Sequence, residues 1–135
     1  MAKKPAKKPI RKHVSSGSTW EEKFAYSRIK RKGALIETAG TIAYKNGKVV
    51  HVGDMYNQSK FIFNKLKGAL QLEGADMEDV IRTRAYVTDI SKAEDVGRAH
   101  AEFFKGMDPV MTMVEVSALI MKEALVEIEL TAWKE

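Results

Sequence analysis

The chain has 135 residues, no cysteine, 44% hydrophobic and 30% charged side chains. That length suffices for one domain burying roughly two-thirds of its unfolded surface, and the lack of thiols excludes disulfides and thiolate catalysis. No apolar run is long enough for a membrane-spanning helix, and the lysine-rich start lacks the apolar segment of a secretory signal. The expected setting is therefore cytoplasmic, with no membrane partner.

The formal net charge of +5 is a property of one end. Lys3, Lys4, Lys7, Lys8, Arg11 and Lys12 stand in a segment without an acid, and removing those six from the 23 basic residues leaves 17 against 18 acids. Residues 1–19, with two prolines, the lysine run and Ser-Ser-Gly-Ser, cannot bury a core and read as a disordered tail. Residues 20–135 read as the domain. The tail could tether a nucleic acid electrostatically, and nucleic acid is expected as a partner only through it. The plainer alternative is a solubilising extension, since no aromatic residue is interleaved for base stacking.

Phe24–Arg31 alternates enough for a first strand, and Lys32-Gly33 turns it into a second over Ala34–Ala43. Asn46-Gly47 is a two-residue hairpin signal, with Val49–Val52 as the return strand. Asp54 is placed to cap a helix over Met55–Glu73, where Ile62, Leu66, Ala69 and Leu70 form one apolar stripe and Gly74 is the stop. Ile81–Thr88 alternates strictly, with Ile81, Thr83, Ala85 and Val87 on one face and Arg82, Arg84, Tyr86 and Thr88 on the other. Ser91-Lys-Ala-Glu94 reads as a capping box opening a second helix, whose Val96, Ala99, His100 and Phe103 share a face up to Gly106.

Pro109–Leu119 and Leu125–Trp133 read as two last strands joined by a tight connection at Ile120–Ala124. In the final one Val126, Ile128, Leu130 and Ala132 share a face, and Glu127 and Glu129 stand side by side on the other. The sum is an α+β domain with a mixed six-stranded sheet and two helices on one face. The second face mixes apolar groups with Arg82, Arg84, Tyr86 and Glu127. It is too polar for a core and too apolar for open water, so an oligomer packed sheet to sheet is expected.

Taken together, Gly68-Ala69-Leu70 with Gly74-Ala75, Asp79-Val80 followed by Tyr86-Val87-Thr88-Asp89, Phe103-Phe104, Pro109 with Val114-Glu115-Val116, and Val126-Glu127-Ile128-Glu129 resemble the Rid (YjgF) family. The resemblance spans about residues 24–133 without a large insertion. It implies a chorismate-mutase-like, YjgF-like fold assembled as a homotrimer, with clefts between subunits. Its best-known members hydrolyse reactive 2-imino acids, or their enamine tautomers, to 2-keto acids and ammonia without metal or cofactor. Some relatives are described as endoribonucleases or translation inhibitors.

In the deaminating branch an arginine in a Pro-Ala-Arg-Ser/Thr motif holds the substrate carboxylate through bidentate pairing. The corresponding run here is Pro109-Val110-Met111-Thr112, so Met111 stands at the arginine position and makes that subsite apolar. Gly97 stands where an asparagine is common, and Ala39-Gly40 where Ser-Gly is usual. The resemblance places Tyr26 and Gly40 at the pocket wall and Glu127 at the carboxylate that positions the attacking water, a role chemically suited to a general base. Met111, Thr112 and His100 complete the candidate substrate-binding set.

Each candidate has a plainer reading. Glu127 and Glu129 could pair with Arg82 or Arg84 across the sheet, and for Glu129 the pairing is preferred. His100 titrates in the right range for a general acid, yet a lone histidine on an apolar stripe is more often a core residue. His13, His51 and His100 have no metal-ligand spacing. Arg82 or Arg84 could replace the missing arginine, or simply be solvated. Arg28-Ile-Lys-Arg31-Lys32 could bind an anion or nucleic acid, or protect an edge strand. The expected function is a divergent deaminase-like hydrolase of small imine or enamine metabolites. The alternatives are a non-catalytic trimer that binds a metabolite or a protein, and, last, RNA binding or cleavage.

Overall fold

The computed structural model describes residues 19–135. Apart from Thr19, the tail expected from the sequence lies outside the described residues. The domain begins with one helical turn, α1 (Trp20–Lys23), and the first strand follows only at Ile29. The strand expected over Phe24–Arg31 is thus corrected to β1 (Ile29–Lys32), which turns through Gly33 into β2 (Leu35–Thr38). The alternation misled because Phe24 points outward, 59% exposed. The local chain is set instead by Glu21, which is buried and ion-paired with Arg28 at 3.8 Å.

Strand β2 ends where Ala39-Gly40 leaves the ladder, and Thr41 rejoins it in a single bridge to Ile128. The Asn46-Gly47 hairpin is present between β3 (Tyr44–Lys45) and β4 (Lys48–Val49). Both turn residues have positive φ, 52° and 82°, as the favoured two-residue turn requires. This hairpin forms its own two-stranded ribbon, so the expected six-stranded sheet is corrected to five strands plus a ribbon. Two-residue strands offer too few ladder bonds to extend the main sheet.

Helix α2 (Met55–Leu72) starts where Asp54 accepts the Asn57 backbone N–H at 2.9 Å, and Gly74 leaves it at φ 79°. Its buried stripe includes Met55, Ile62, Phe63, Leu66, Ala69 and Leu70. Arg31 ties the far end down, donating to the Glu73 and Lys134 carbonyls. A cation there also complements the helix C-terminal dipole.

Strand β5 (Val80–Val87) follows, then α3 (Ala93–Phe104), β6 (Val110–Glu115) and β7 (Val126–Trp133). A register shift between Val80 and Arg82 turns Ile81 outward, 51% exposed, so it leaves the face it was expected to share with Thr83, Ala85 and Val87. The capping box expected at Ser91–Glu94 does not form. Asp89 instead accepts from the Ser91 backbone N–H and hydroxyl, and a 3₁₀ turn, Ile90–Lys92, leads into α3.

The largest correction concerns the last two strands. They are not neighbours: the sheet order is β1-β2-β7-β5-β6, with β6 parallel and β7 antiparallel to β5. Helix α3 carries the chain over to the parallel edge position of β6. The following segment, residues 116–125, then returns across β5 so that β7 enters between β2 and β5. Buried Gln58 holds this segment, donating to Glu123 O at 3.1 Å and accepting from Leu125 N at 2.9 Å.

Helices α2 and α3 cover one sheet face, where Phe63, Leu66, Val96, Val126, Ile128 and Leu130 are completely buried. The other face carries Arg82, Arg84, Tyr86, Thr112, Glu127 and Glu129 with the exposed Val110 and Val114. No described helix is long and apolar enough to cross a membrane.

Candidate functional site

Where β2 leaves the ladder, the chain opens a cleft of about 140 Å³ between the sheet, the ribbon and α2. Trp20, Tyr26 and Tyr44 supply aromatic walls, and Ile42 and Ile120 add apolar surface. Its charged groups are Arg28, Lys65 and Glu127. Three residues singled out from the sequence, Tyr26, Gly40 and Glu127, thus come together in one cavity.

A side chain at position 40 would displace the Glu127 carboxylate. A Cβ there would lie 2.8 Å from both the Glu127 Cδ and Oε2 atoms, closer than side-chain carbons approach one another. Only hydrogen at that point lets the carboxylate occupy its present position. Arg28 fixes the same turn from beneath, donating from one terminal nitrogen to the Gly40 carbonyl at 2.6 Å and to the Thr41 hydroxyl at 3.0 Å. Its guanidinium also lies 5.7 Å from the Tyr26 ring centroid.

The Glu127 carboxylate accepts no hydrogen bond from any described residue. Burial, reinforced by the negative charge of Glu129, pushes its pKa above the ordinary carboxylate range, while Arg28 pulls the other way. Glu129 is differently occupied. It accepts the Tyr86 hydroxyl at 2.5 Å rather than an arginine, and Tyr86 in turn is held above the usual phenol range chiefly by this hydrogen bond. The ion pairing preferred for Glu129 is therefore replaced by a phenol contact, although Arg84 is its register partner. Among the described residues, the Arg82 side chain makes one hydrogen bond, a long 3.5 Å contact to the Thr112 hydroxyl.

The other candidates lie elsewhere in the chain. Met111 is the register partner of Thr83 on the edge strand and packs against the core on the helix-covered side. Thr112, one residue on, belongs to the open face beside Arg84. His100 is held between the Phe63 and Phe104 rings, with Nε2 2.8 Å from the Thr83 hydroxyl. Burial lowers its pKa, so it stays neutral at physiological pH. None of the three lines the Glu127 cleft of its own chain. Among the described residues no group of three or more His, Asp or Glu side chains is placed to hold a metal.

The sequence reading missed Lys65 and took Arg28 for part of a basic edge. Lys65 lies one position from the core residue Leu66 and three from Ile62, on the buried flank of α2. A lysine at such a position was the available signal. Its amine donates to the Tyr44 carbonyl at 3.3 Å, and burial, followed by the nearby Arg28 charge, lowers its pKa.

Comparison with known proteins agrees with this architecture. The family model described as endoribonuclease L-PSP matches residues 19–134. An uncharacterized protein of Streptomyces coelicolor is 37% identical over 123 residues, covering 91% of this chain and 92% of that protein. A RutC family protein of Pyrococcus horikoshii is 33% identical over 112 residues, covering 82% of this chain and 87% of its own. Among solved structures, a member of the YjgF/YER057c/UK114 family from Mycobacterium tuberculosis superposes with a TM-score of 0.81 at 42% identity, covering 91% of this chain and 98% of its own. The chain belongs to the endoribonuclease L-PSP family, also called the YjgF or Rid family.

Proposed function

We propose that the protein hydrolyses small imines or enamines, with Glu127 as the group that orients and deprotonates the attacking water. The observation that carries the reading is a half-buried carboxylate with no hydrogen-bond partner among the described residues, held against Gly40 inside an aromatic-walled cleft. Such a group has both oxygens free to accept from water. A pKa raised toward neutrality lets it take a proton and give it back. The water oxygen adds to the C=N carbon while Glu127 accepts its proton. That proton passes to nitrogen, giving a carbinolamine; Glu127 then carries the hydroxyl proton to nitrogen as well, and the C–N bond breaks to release ammonia as the C=O bond forms. Tyr26 and Gly40 shape the wall against which the planar substrate lies.

The arginine grip of the deaminating branch has no counterpart at Met111, so the substrate is held differently from a standard 2-imino acid. The mixed polar and apolar open face suits packing of three copies, with the clefts near their mutual boundaries. RNA cleavage is the weaker reading, because neither His51 nor His100 lines the cleft and its volume suits a small molecule.

The test is keto-acid and ammonia release from freshly generated 2-imino acids and neutral imines by wild type, Glu127→Ala and Met111→Arg. Turnover abolished by Glu127→Ala is the expected result. Activity unchanged in Glu127→Ala would overturn the assignment. Silence from all three would favour a non-catalytic metabolite-binding trimer.

A further inference from the structure

The hydrolytic step leaves two cations of the cleft unused, Arg28 and Lys65, and their surroundings differ. Arg28 is committed: it is 5% exposed, ion-paired with Glu21, and bonded to Gly40 and Thr41 through one terminal nitrogen. Even so, its Nε–H has no hydrogen-bond partner among the described residues, although the side chain is more than nine-tenths buried and lines the cleft. Lys65 is less engaged. Its ammonium has three donors, one long bond to the Tyr44 carbonyl, and no carboxylate within ion-pair distance among the described residues. A half-buried ammonium beside a second cation is costly to maintain. An anion entering the cleft would relieve both the desolvation and the Arg28 repulsion, which the charge of Glu21 only partly offsets.

We propose that Lys65 is the anion-binding group of this cleft, holding the carboxylate of a small 2-imino or 2-oxo acid whose reacting carbon then faces Glu127. The carboxylate grip absent at Met111 is thereby supplied from helix α2. Opposite charges on the lining give the cleft polarity, with the substrate's anionic end drawn to Lys65 and kept from Glu127. The cavity, about 140 Å³, is well below the several hundred cubic ångströms of drug-sized sites and suits an acid of few heavy atoms. The choice of ligand rests on the hydrolytic reading of Glu127, whereas the anion site itself does not.

The experiment measures binding without turnover, using the full chain with pyruvate and its neutral analogue pyruvamide as calorimetric ligands. Wild type should bind pyruvate saturably and at least tenfold more tightly than pyruvamide. Lys65→Gln should lose about tenfold or more in pyruvate affinity, Lys65→Arg should stay within a few-fold of wild type, and Glu127→Gln should bind at least as well. Thermal melting of each variant separates loss of binding from loss of fold, and rescue by Lys65→Arg shows that charge is what counts. Equal binding of pyruvate by wild type and Lys65→Gln, or no preference over pyruvamide, would overturn the proposal. Wild type that binds no pyruvate yet hydrolyses neutral imines would also overturn it, while leaving the role of Glu127 standing.

Discussion

On β7, Val126, Ile128, Leu130 and Ala132 are sealed under the helices, whereas Glu127 and Glu129, each one residue away, stand on the open face. The same pleat thus serves two kinds of demand. On the covered side of β7 these four side chains are apolar and completely buried, and their contribution is stability. On the open side the polar groups have few partners: Glu127 accepts no hydrogen bond from a described residue, and Arg82 makes one long contact. Groups that do little for the fold of the single chain are the ones available for chemistry and assembly.

The contrast can be broken by substitutions at adjacent residues. Ile128→Ala, on the covered side, should cost about 2–5 kcal/mol in a denaturant titration, because it removes a completely buried side chain and leaves a cavity. Gly40→Ala should leave the fold intact by circular dichroism but displace the Glu127 carboxylate, lowering imine turnover by about a hundredfold, within the range ascribed to a positioned general base. Val114→Asp, on the exposed edge of the open face, should change monomer stability by less than about 0.5 kcal/mol. It should nevertheless shift the mass seen by ultracentrifugation from trimer toward monomer. A trimer unmoved by this change would place the packing surface elsewhere.

The smallest expected effect is on stability against pH. Because the native pKa of Glu127 lies above its unfolded value, the native state holds its proton more tightly. Its contribution to stability is therefore greatest below the unfolded pKa and is lost as pH rises through the raised native one. Glu127→Gln lacks this loss, so its melting temperature relative to wild type should improve between about pH 4 and neutrality. A constant difference across that range would mean that Glu127 is not perturbed by its surroundings.

What could be read from the sequence follows the range of the interactions involved. Asn46-Gly47, Asp54 and Gly74 act within a few residues of themselves, and each does in the structure what its local chemistry predicts. The pairing of β6 and β7 was misread because the alternation of a strand says which face a side chain takes and nothing about which strand lies beside it. The turn expected at Ile120–Ala124 is part of a longer return over β5, held by Gln58 from a distant helix. In the site, Tyr26, Gly40 and Glu127 were found through family resemblance rather than through spacing. Arg28 and Lys65 were hidden because their burial is created by Glu21, the ribbon and α2 meeting in space. A basic stretch on a strand and a lysine on a helix look solvated until those elements are assembled.

The central claim is that Glu127 handles the water of an imine hydrolysis. Its most direct test is the pH dependence of single-turnover keto-acid release, compared between wild type and Glu127→Gln. The account predicts a wild-type rate that rises with pH through an apparent pKa above the ordinary carboxylate value, as burial and Glu129 require. It also predicts a rate at least a hundredfold lower in Glu127→Gln, with that limb gone. The same limb at the same height in Glu127→Gln would contradict it.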